Sequence, residues 1–136
     1  MTAPTPIRFD DRRTVGAADI DLMGHVNNVV YLQWVQDIAA AHWQSAATPD
    51  QLAAVQWVAV RHEIDYKAPA FLGDEITVQT WVGSWTGATS DRRTRIVRPT
   101  DDVVLVEART VWCAVDPASG RPRRVDEALR NRFLAR

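Results

Sequence analysis

The chain has 136 residues, 46% of them hydrophobic and 24% charged, with a formal net charge of −1 at pH 7. That length suits one domain with one core, spanning residues 1–136. So small a net charge gives no bulk positive field for nucleic acid or an anionic membrane, and no apolar stretch approaches the roughly 18 residues of a membrane span.

Met1-Thr2-Ala3-Pro4-Thr5-Pro6 lacks a basic region followed by an apolar run, so it does not read as a secretory signal. Residues 7–15 read as a first strand and 17–27 as a polar loop with Gly24 near its end. From Asn28 the period changes. Val30, Trp34, Ile38 and Ala41 recur at three-to-four spacing, as do Tyr31, Val35 and His42, which predicts a helix buried over most of its surface. Ending near Trp43, it would be about 24 Å long. Asn27 or Asn28 suits its N-cap.

Thr48-Pro49-Asp50-Gln51 is a capping-box pattern with proline at the first helical position, and predicts a short helix ending near Ala54. Residues 57–67 alternate Val58, Val60, His62, Ile64 and Tyr66 against Ala59, Arg61, Glu63, Asp65 and Lys67, as a strand does. A turn from Pro69 through Gly73-Asp74 leads to strands over 75–85, 88–98 and 103–115. Asp116-Pro117-Ala118-Ser119-Gly120 closes the last of these, and Asp126 can cap a C-terminal helix over 127–134. The fold class expected is α+β: an antiparallel sheet of about five strands wrapped around one long central helix, the last four strands joined by hairpins.

Cys113 is the only cysteine, so no intrachain disulfide forms, and the composition fits a reducing cytoplasm. It reads as a small buried hydrophobe. Three scattered histidines and one cysteine make no metal site at a familiar spacing, and no cofactor is expected. Six tryptophans (Trp34, Trp43, Trp57, Trp81, Trp85 and Trp112) are many for so small an interior. Either all are core, or some lie at a subunit contact or line a ligand channel. The sheet face turned away from the helix needs solvent or a partner, and the tryptophans argue for a partner.

Asp21, then Gly24-His25-Val26-Asn27-Asn28 and Tyr31, form the most specific segment. With Arg61-His62-Glu63-Ile64-Asp65-Tyr66 before Pro69-Ala70, and Gly73-Asp74-Glu75-Ile76, it resembles the acyl-CoA thioesterases of the 4-hydroxybenzoyl-CoA thioesterase class of hotdog proteins, over about residues 7–125. The resemblance implies a homodimer or homotetramer that hydrolyses an acyl thioester carried on coenzyme A or acyl carrier protein. It makes Asp21 the catalytic aspartate, as nucleophile or as general base toward water, and assigns the backbone amide of Asn28 to the thioester carbonyl. A helix N-terminus has unpaired N–H groups and a partial positive charge, which is what a developing oxyanion requires.

His25 can orient the loop, bond Asp21 or assist the attacking water, and structural anchoring is the preferred reading. Gly24, Val26, Asn27 and Tyr31 are expected around the substrate, with Asn27 chiefly a cap. Asp65, Tyr66 and Pro69 are expected to complete the site from a second subunit. Asp19 is a near decoy for Asp21. Gln36, with Asp37 beside it, stands where relatives often carry an acid. His42 and His62 read as satisfied core or interface residues. The run Arg92-Arg93-Thr94-Arg95-Ile96-Val97-Arg98 reads either as phosphate-binding or, by preference, as a solvated sheet face with acidic partners. Two rival functions share the fold: a non-hydrolytic acyl-thioester binder, and an enoyl-CoA hydratase or dehydratase.

Overall fold

Asn27 begins the helix that organises the molecule: its side-chain oxygen accepts from the Val29 amide at 3.0 Å, satisfying one of the first-turn donors a helix leaves open. The computed structural model describes residues 4–135; residues 1–3, part of the segment read above as lacking a secretory signal, and residue 136 lie outside the described range. Among the described residues seven strands and three α-helices follow in chain order: β1 (Thr5–Pro6), β2 (Phe9–Thr14), α1 (Asn28–Ala46), α2 (Pro49–Ala54), β3 (Gln56–Tyr66), β4 (Glu75–Thr86), β5 (Thr89–Arg98), β6 (Val103–Val115), α3 (Glu127–Asn131) and β7 (Leu134–Ala135).

The main sheet has five antiparallel strands in the order β2-β4-β5-β6-β3, and β1 pairs with β7 in a small second sheet. α1 lies on one face. Its Tyr31, Trp34, Val35 and Ile38 pack with Ile76 and Val78 of β4, Ile96 of β5, and Leu105, Val106 and Ala108 of β6. The alternating burial of β4 and β5 shows why the sheet is amphipathic: period-two side chains go alternately to the helix and to solvent. α2 carries the expected box, with the Thr48 amide donating to Gln51 and the Gln51 amide donating to Thr48 Oγ1. Asp126 caps α3 through the Leu129 amide at 2.8 Å.

Five expectations change. First, the last four strands are not all joined by hairpins. β3 pairs with β6 at the far edge, whereas β4 lies beside β2, so the segment after Tyr66 crosses the sheet. Spanning three strand spacings takes roughly 14 Å, within reach of the eight residues 67–74. Second, the regular alternation expected in β3 breaks at a bulge between Ala59 and Arg61. Val58 and Val60 are left 49% and 59% exposed, while His62 faces the buried Thr110. Third, α1 extends to Ala46, beyond Trp43.

Fourth, the C-terminal helix stops at Asn131, because Leu134 pairs with Pro6 in the small sheet. Fifth, the outer sheet face is an ion-pair surface and not an aromatic one. Arg95 meets Glu107 at 3.1 Å, and Arg109 meets Asp91 at 2.6 Å and Glu63 at 3.5 Å. Trp81 lines a recess with several of these charged residues, and Arg8 lies over its ring at 4.1 Å. Most of the other tryptophans gather at the opposite end of the molecule from Asn27.

Candidate active site

The segment before α1 is more ordered than an irregular loop. Ala17–Asp19 forms one 3-10 turn, closed by the Asp19 carboxylate accepting from the Gly16 amide at 2.9 Å. Ile20 and Val26 then form an isolated antiparallel bridge. Asp21 and His25 sit just inside it, the Asp21 amide donating to the His25 carbonyl at 3.0 Å and the Gly24 amide to the Asp21 carbonyl at 3.1 Å. Gly24 has φ +84°, a left-handed conformation in which a side chain at this turn would be strained.

Two further bonds fasten this small hairpin to the helix entrance. The Asn27 amide donates to the Asp19 carbonyl at 2.9 Å, and the Val26 amide donates to the Ala70 carbonyl at 2.9 Å. Ala70 lies in the crossing segment between β3 and β4. Its own amide donates to the Tyr31 hydroxyl at 3.2 Å. Burial raises the Tyr31 phenol above its ordinary range, so it stays protonated. The crossover therefore clamps both the loop and the first turn of α1.

Within this frame the Asp21 carboxylate is half engaged. Oδ1 accepts from the Met23 amide at 2.8 Å; Oδ2 lies 3.8 Å from His25 Nδ1, too long for a hydrogen bond. Asp19 is different: its carboxylate is spent on the 3-10 turn and its carbonyl on Asn27. Asn27 is the cap, and its carbonyl also accepts from the Val30 amide at 2.9 Å. Asn28 is the first residue of α1, and its N–H has no acceptor among the described residues. Its carbonyl accepts from the Tyr66 hydroxyl at 3.3 Å.

The structure thus brings Asp21, Gly24, His25, Asn27, Asn28, Tyr31 and Tyr66 to one corner of a single chain. Tyr66 reaches the helix start of its own chain. Asp65 lies exposed opposite Glu107 on the outer side of β3. Pro69 is engaged through its carbonyl by Arg98 at 3.1 Å. Val26 is buried in the core. Asp37, beside Gln36, is tied to Arg13 at 3.3 Å and Gln33 at 2.8 Å. Around the corner, Leu22, Met23, Val29, Tyr66, Phe71 and Leu72 are exposed.

The arginine run divides by strand parity. Arg98, past the register shift between Ile96 and Val97, binds Asp74 and Asp101 at 3.1 and 2.9 Å. Arg93 and Arg95 point outward and meet carboxylates at 3.6 and 3.1 Å, as the solvated-face reading expects. Arg92 departs from it. It points inward, is 5% exposed, and donates from Nη1 to His42 Nδ1 at 2.9 Å and Thr80 Oγ1 at 3.2 Å. The parity of Ser90, Arg92, Thr94 and Ile96, all buried, was the available signal. His42 is a satisfied core residue, stacked on Phe9 at 5.0 Å. Burial and then the Arg92 charge lower its pKa to about 4. Among the described residues no cluster suits a metal ion, and no helix is long and apolar enough to cross a membrane.

A family described as the thioesterase-like superfamily matches residues 15–133, and the chain belongs to it. Its activity class is accordingly thioesterase-type hydrolysis of an acyl thioester. No curated protein matches the chain. Among solved structures, Slr0204, a 1,4-dihydroxy-2-naphthoyl-CoA thioesterase from Synechocystis, is similar with a TM-score of 0.79 at 19% identity, over 92% of this chain and 94% of that one. A predicted thioesterase from Bacillus stearothermophilus gives 0.81 at 22% identity, over 93% and 94%. The PA5185 protein from Pseudomonas aeruginosa gives 0.81 at 21% identity, over 92% and 88%. These likenesses establish the hotdog fold, a five-stranded antiparallel sheet around one central helix.

Proposed function

We propose that the protein hydrolyses acyl-CoA to free acid and coenzyme A at the corner where Asp21 faces the start of α1. The observation that carries this reading is the unpaired Asn28 N–H. Asn27 satisfies Val29 and Val30, and no described group accepts from Asn28. One amide of the first turn is thus left for a ligand oxygen, where the helix dipole favours negative charge. Such a donor, aimed at the oxygen of the tetrahedral intermediate, is worth roughly 10²–10³ in rate.

Asp21 supplies the second requirement. Its Oδ2 either attacks the thioester carbon, giving a mixed anhydride that water then opens, or takes a proton from the water that attacks. In both routes the C–S bond breaks, the thiolate leaves and is protonated, and one water is consumed. The Met23 amide holds the carboxylate through Oδ1, and His25 anchors the turn by accepting from the Asp21 amide through its carbonyl. Gly24 shapes the turn, Tyr66 donates to the Asn28 carbonyl, and Tyr31 ties the helix to the crossing segment through the Ala70 amide.

The assembly is of at least two copies. β3 is an edge strand of 11 residues with Val58 and Val60 exposed, a surface that an isolated chain would leave open to pairing. A second copy paired there extends the sheet and brings further side chains toward the exposed apolar corner.

Thiol release from a panel of acyl-CoA and acyl carrier protein substrates, followed with a thiol reagent, tests the activity. Release from at least one acyl-CoA is expected. No release across chain lengths and aromatic acyl groups would leave a binding protein. Loss of enoyl conjugation with the thioester intact would make it a hydratase.

A further inference from the structure

The C-terminal half of α1 covers a partly open cavity of about 690 Å³, within the roughly 300–1,000 Å³ of small-molecule sites. Trp43, Trp57, Trp85, Trp112 and Phe133 line it, with Arg92 among the residues bounding it. The rings brace one another: Trp43 and Trp57 meet edge to face at 5.6 Å, and Trp43 stacks on Phe133 at 6.2 Å. Trp43 is fifteen residues beyond Asn28 on α1, about 22 Å along the helix. Trp34, Ile38, Val78 and Ile96 fill the space between. Within one chain the cavity is therefore separate from the Asp21 corner.

Beside the neutral Gln44, Gln56 and Ser90, its buried polar groups lean toward donors. The indole Nε1 atoms of Trp85 and Trp112 are buried with no partner among the described residues. Among the described residues Arg92 bonds through Nη1 alone, toward His42 and Thr80. Among the described residues no aspartate or glutamate lines the cavity. A guanidinium buried this deeply ordinarily has a carboxylate partner, and a buried indole N–H ordinarily has an acceptor. Burial lowers Arg92 to about 10, which still leaves it charged at neutral pH. The site offers flat aromatic walls and several donors, and lacks an anionic acceptor.

We propose that this cavity binds a planar aromatic or conjugated group carrying a carboxylate or carbonyl oxygen, its rings among the indoles and its oxygen on Arg92 and the open indole N–H groups. The group can come from two sources. One is the acyl part of a thioester held at the Asp21 corner of a second copy, which rests on the hydrolase reading. The other is a free aromatic acid, which does not.

Isothermal titration of the full chain with 2-naphthoate, naphthalene and octanoate separates ring, charge and chain. One 2-naphthoate per chain is expected, at least tenfold tighter than naphthalene or octanoate. Trp85→Phe and Trp112→Phe keep a ring but remove the N–H, avoiding the folding risk of replacing buried Arg92. Each should weaken 2-naphthoate three- to tenfold and leave naphthalene unchanged. Asp21→Asn should leave all three affinities unaltered, so a failed hydrolase reading does not touch this result. No 2-naphthoate binding at millimolar concentration, equal binding of octanoate, or unchanged binding in both phenylalanine variants would overturn the proposal. Competitive inhibition of octanoyl-CoA hydrolysis by 2-naphthoate assigns the cavity to the acyl group. Binding without such competition assigns it to a free acid.

Discussion

His42 shows how one buried side chain makes stability depend on pH. Its Nδ1 accepts from Arg92, so the ring is neutral with its proton on Nε2. Folding lowers its pKa from 6.5 to about 4, by burial first and the Arg92 charge second. Below pH 6.5 the unfolded chain takes up a proton that the folded chain refuses. Stability from this group is thus full above pH 6.5, falls as pH drops toward 4, and is flat below. The loss amounts to roughly 3 kcal/mol at most. His42→Gln preserves an acceptor for Arg92 and removes the titration. Urea unfolding of both proteins at pH 7 and pH 4.5 should show the wild type losing about 2 kcal/mol more than the variant. Parallel losses would show that His42 titrates alike in both states.

The cap at Asn27 has a simpler expectation. Asn27→Ala removes the bond to Val29 and should lower stability by about 1 kcal/mol, seen as a lower urea midpoint with an unchanged slope. A neutral result would mean that the clamp through Ala70 and Asp19 alone sets the helix start.

Among the elements, β3 is where the open questions of assembly meet. Its bulge turns Val58 and Val60 outward along an unpaired edge. Replacing both with lysine should leave the chain folded, because both are exposed, while blocking a second copy from pairing. Sedimentation velocity should then show a shift from dimer or larger to monomer, with thiol release lost alongside. A wild-type protein that already sediments as a monomer contradicts assembly through this edge.

Element types and most boundaries could be read from periodicity and caps: Thr48 with Gln51, Asp126, and the stripe through Tyr31, Trp34 and Ile38. The bulge could not, because Val58 and Val60 continue a perfect alternation in sequence while the backbone inserts a residue. Nor could the crossover after Tyr66. A turn-rich stretch of eight residues suits a hairpin as well as a traverse, and only the pairing of β3 with β6 decides between them.

At the scale of the whole molecule, the two ends of α1 carry different chemistry. The N-terminal end has an open amide at Asn28 behind the hairpin that carries Asp21; the C-terminal end gathers indoles around a buried guanidinium. The first was legible because its residues are contiguous, from Asp21 to Asn28, and their order is specific. The second was not, because Trp43, Trp57, Trp85, Arg92 and Trp112 come from five elements and meet only when the sheet curves around the helix. Arg92 was hidden further by its neighbours Arg93 and Arg95, which made the run look like one solvated face.

The proposed hydrolysis at the N-terminal end assigns the reaction to Asp21, whose side chain is 27% exposed and can be replaced without disturbing the core. Steady-state thiol release by Asp21→Asn, on the best substrate of the wild type, is the most direct measurement. The expected result is a kcat lower by about 10²-fold or more, with KM within threefold and an unchanged unfolding midpoint. A variant that keeps kcat within threefold of the wild type would remove Asp21 from the reaction and contradict the assignment of the site.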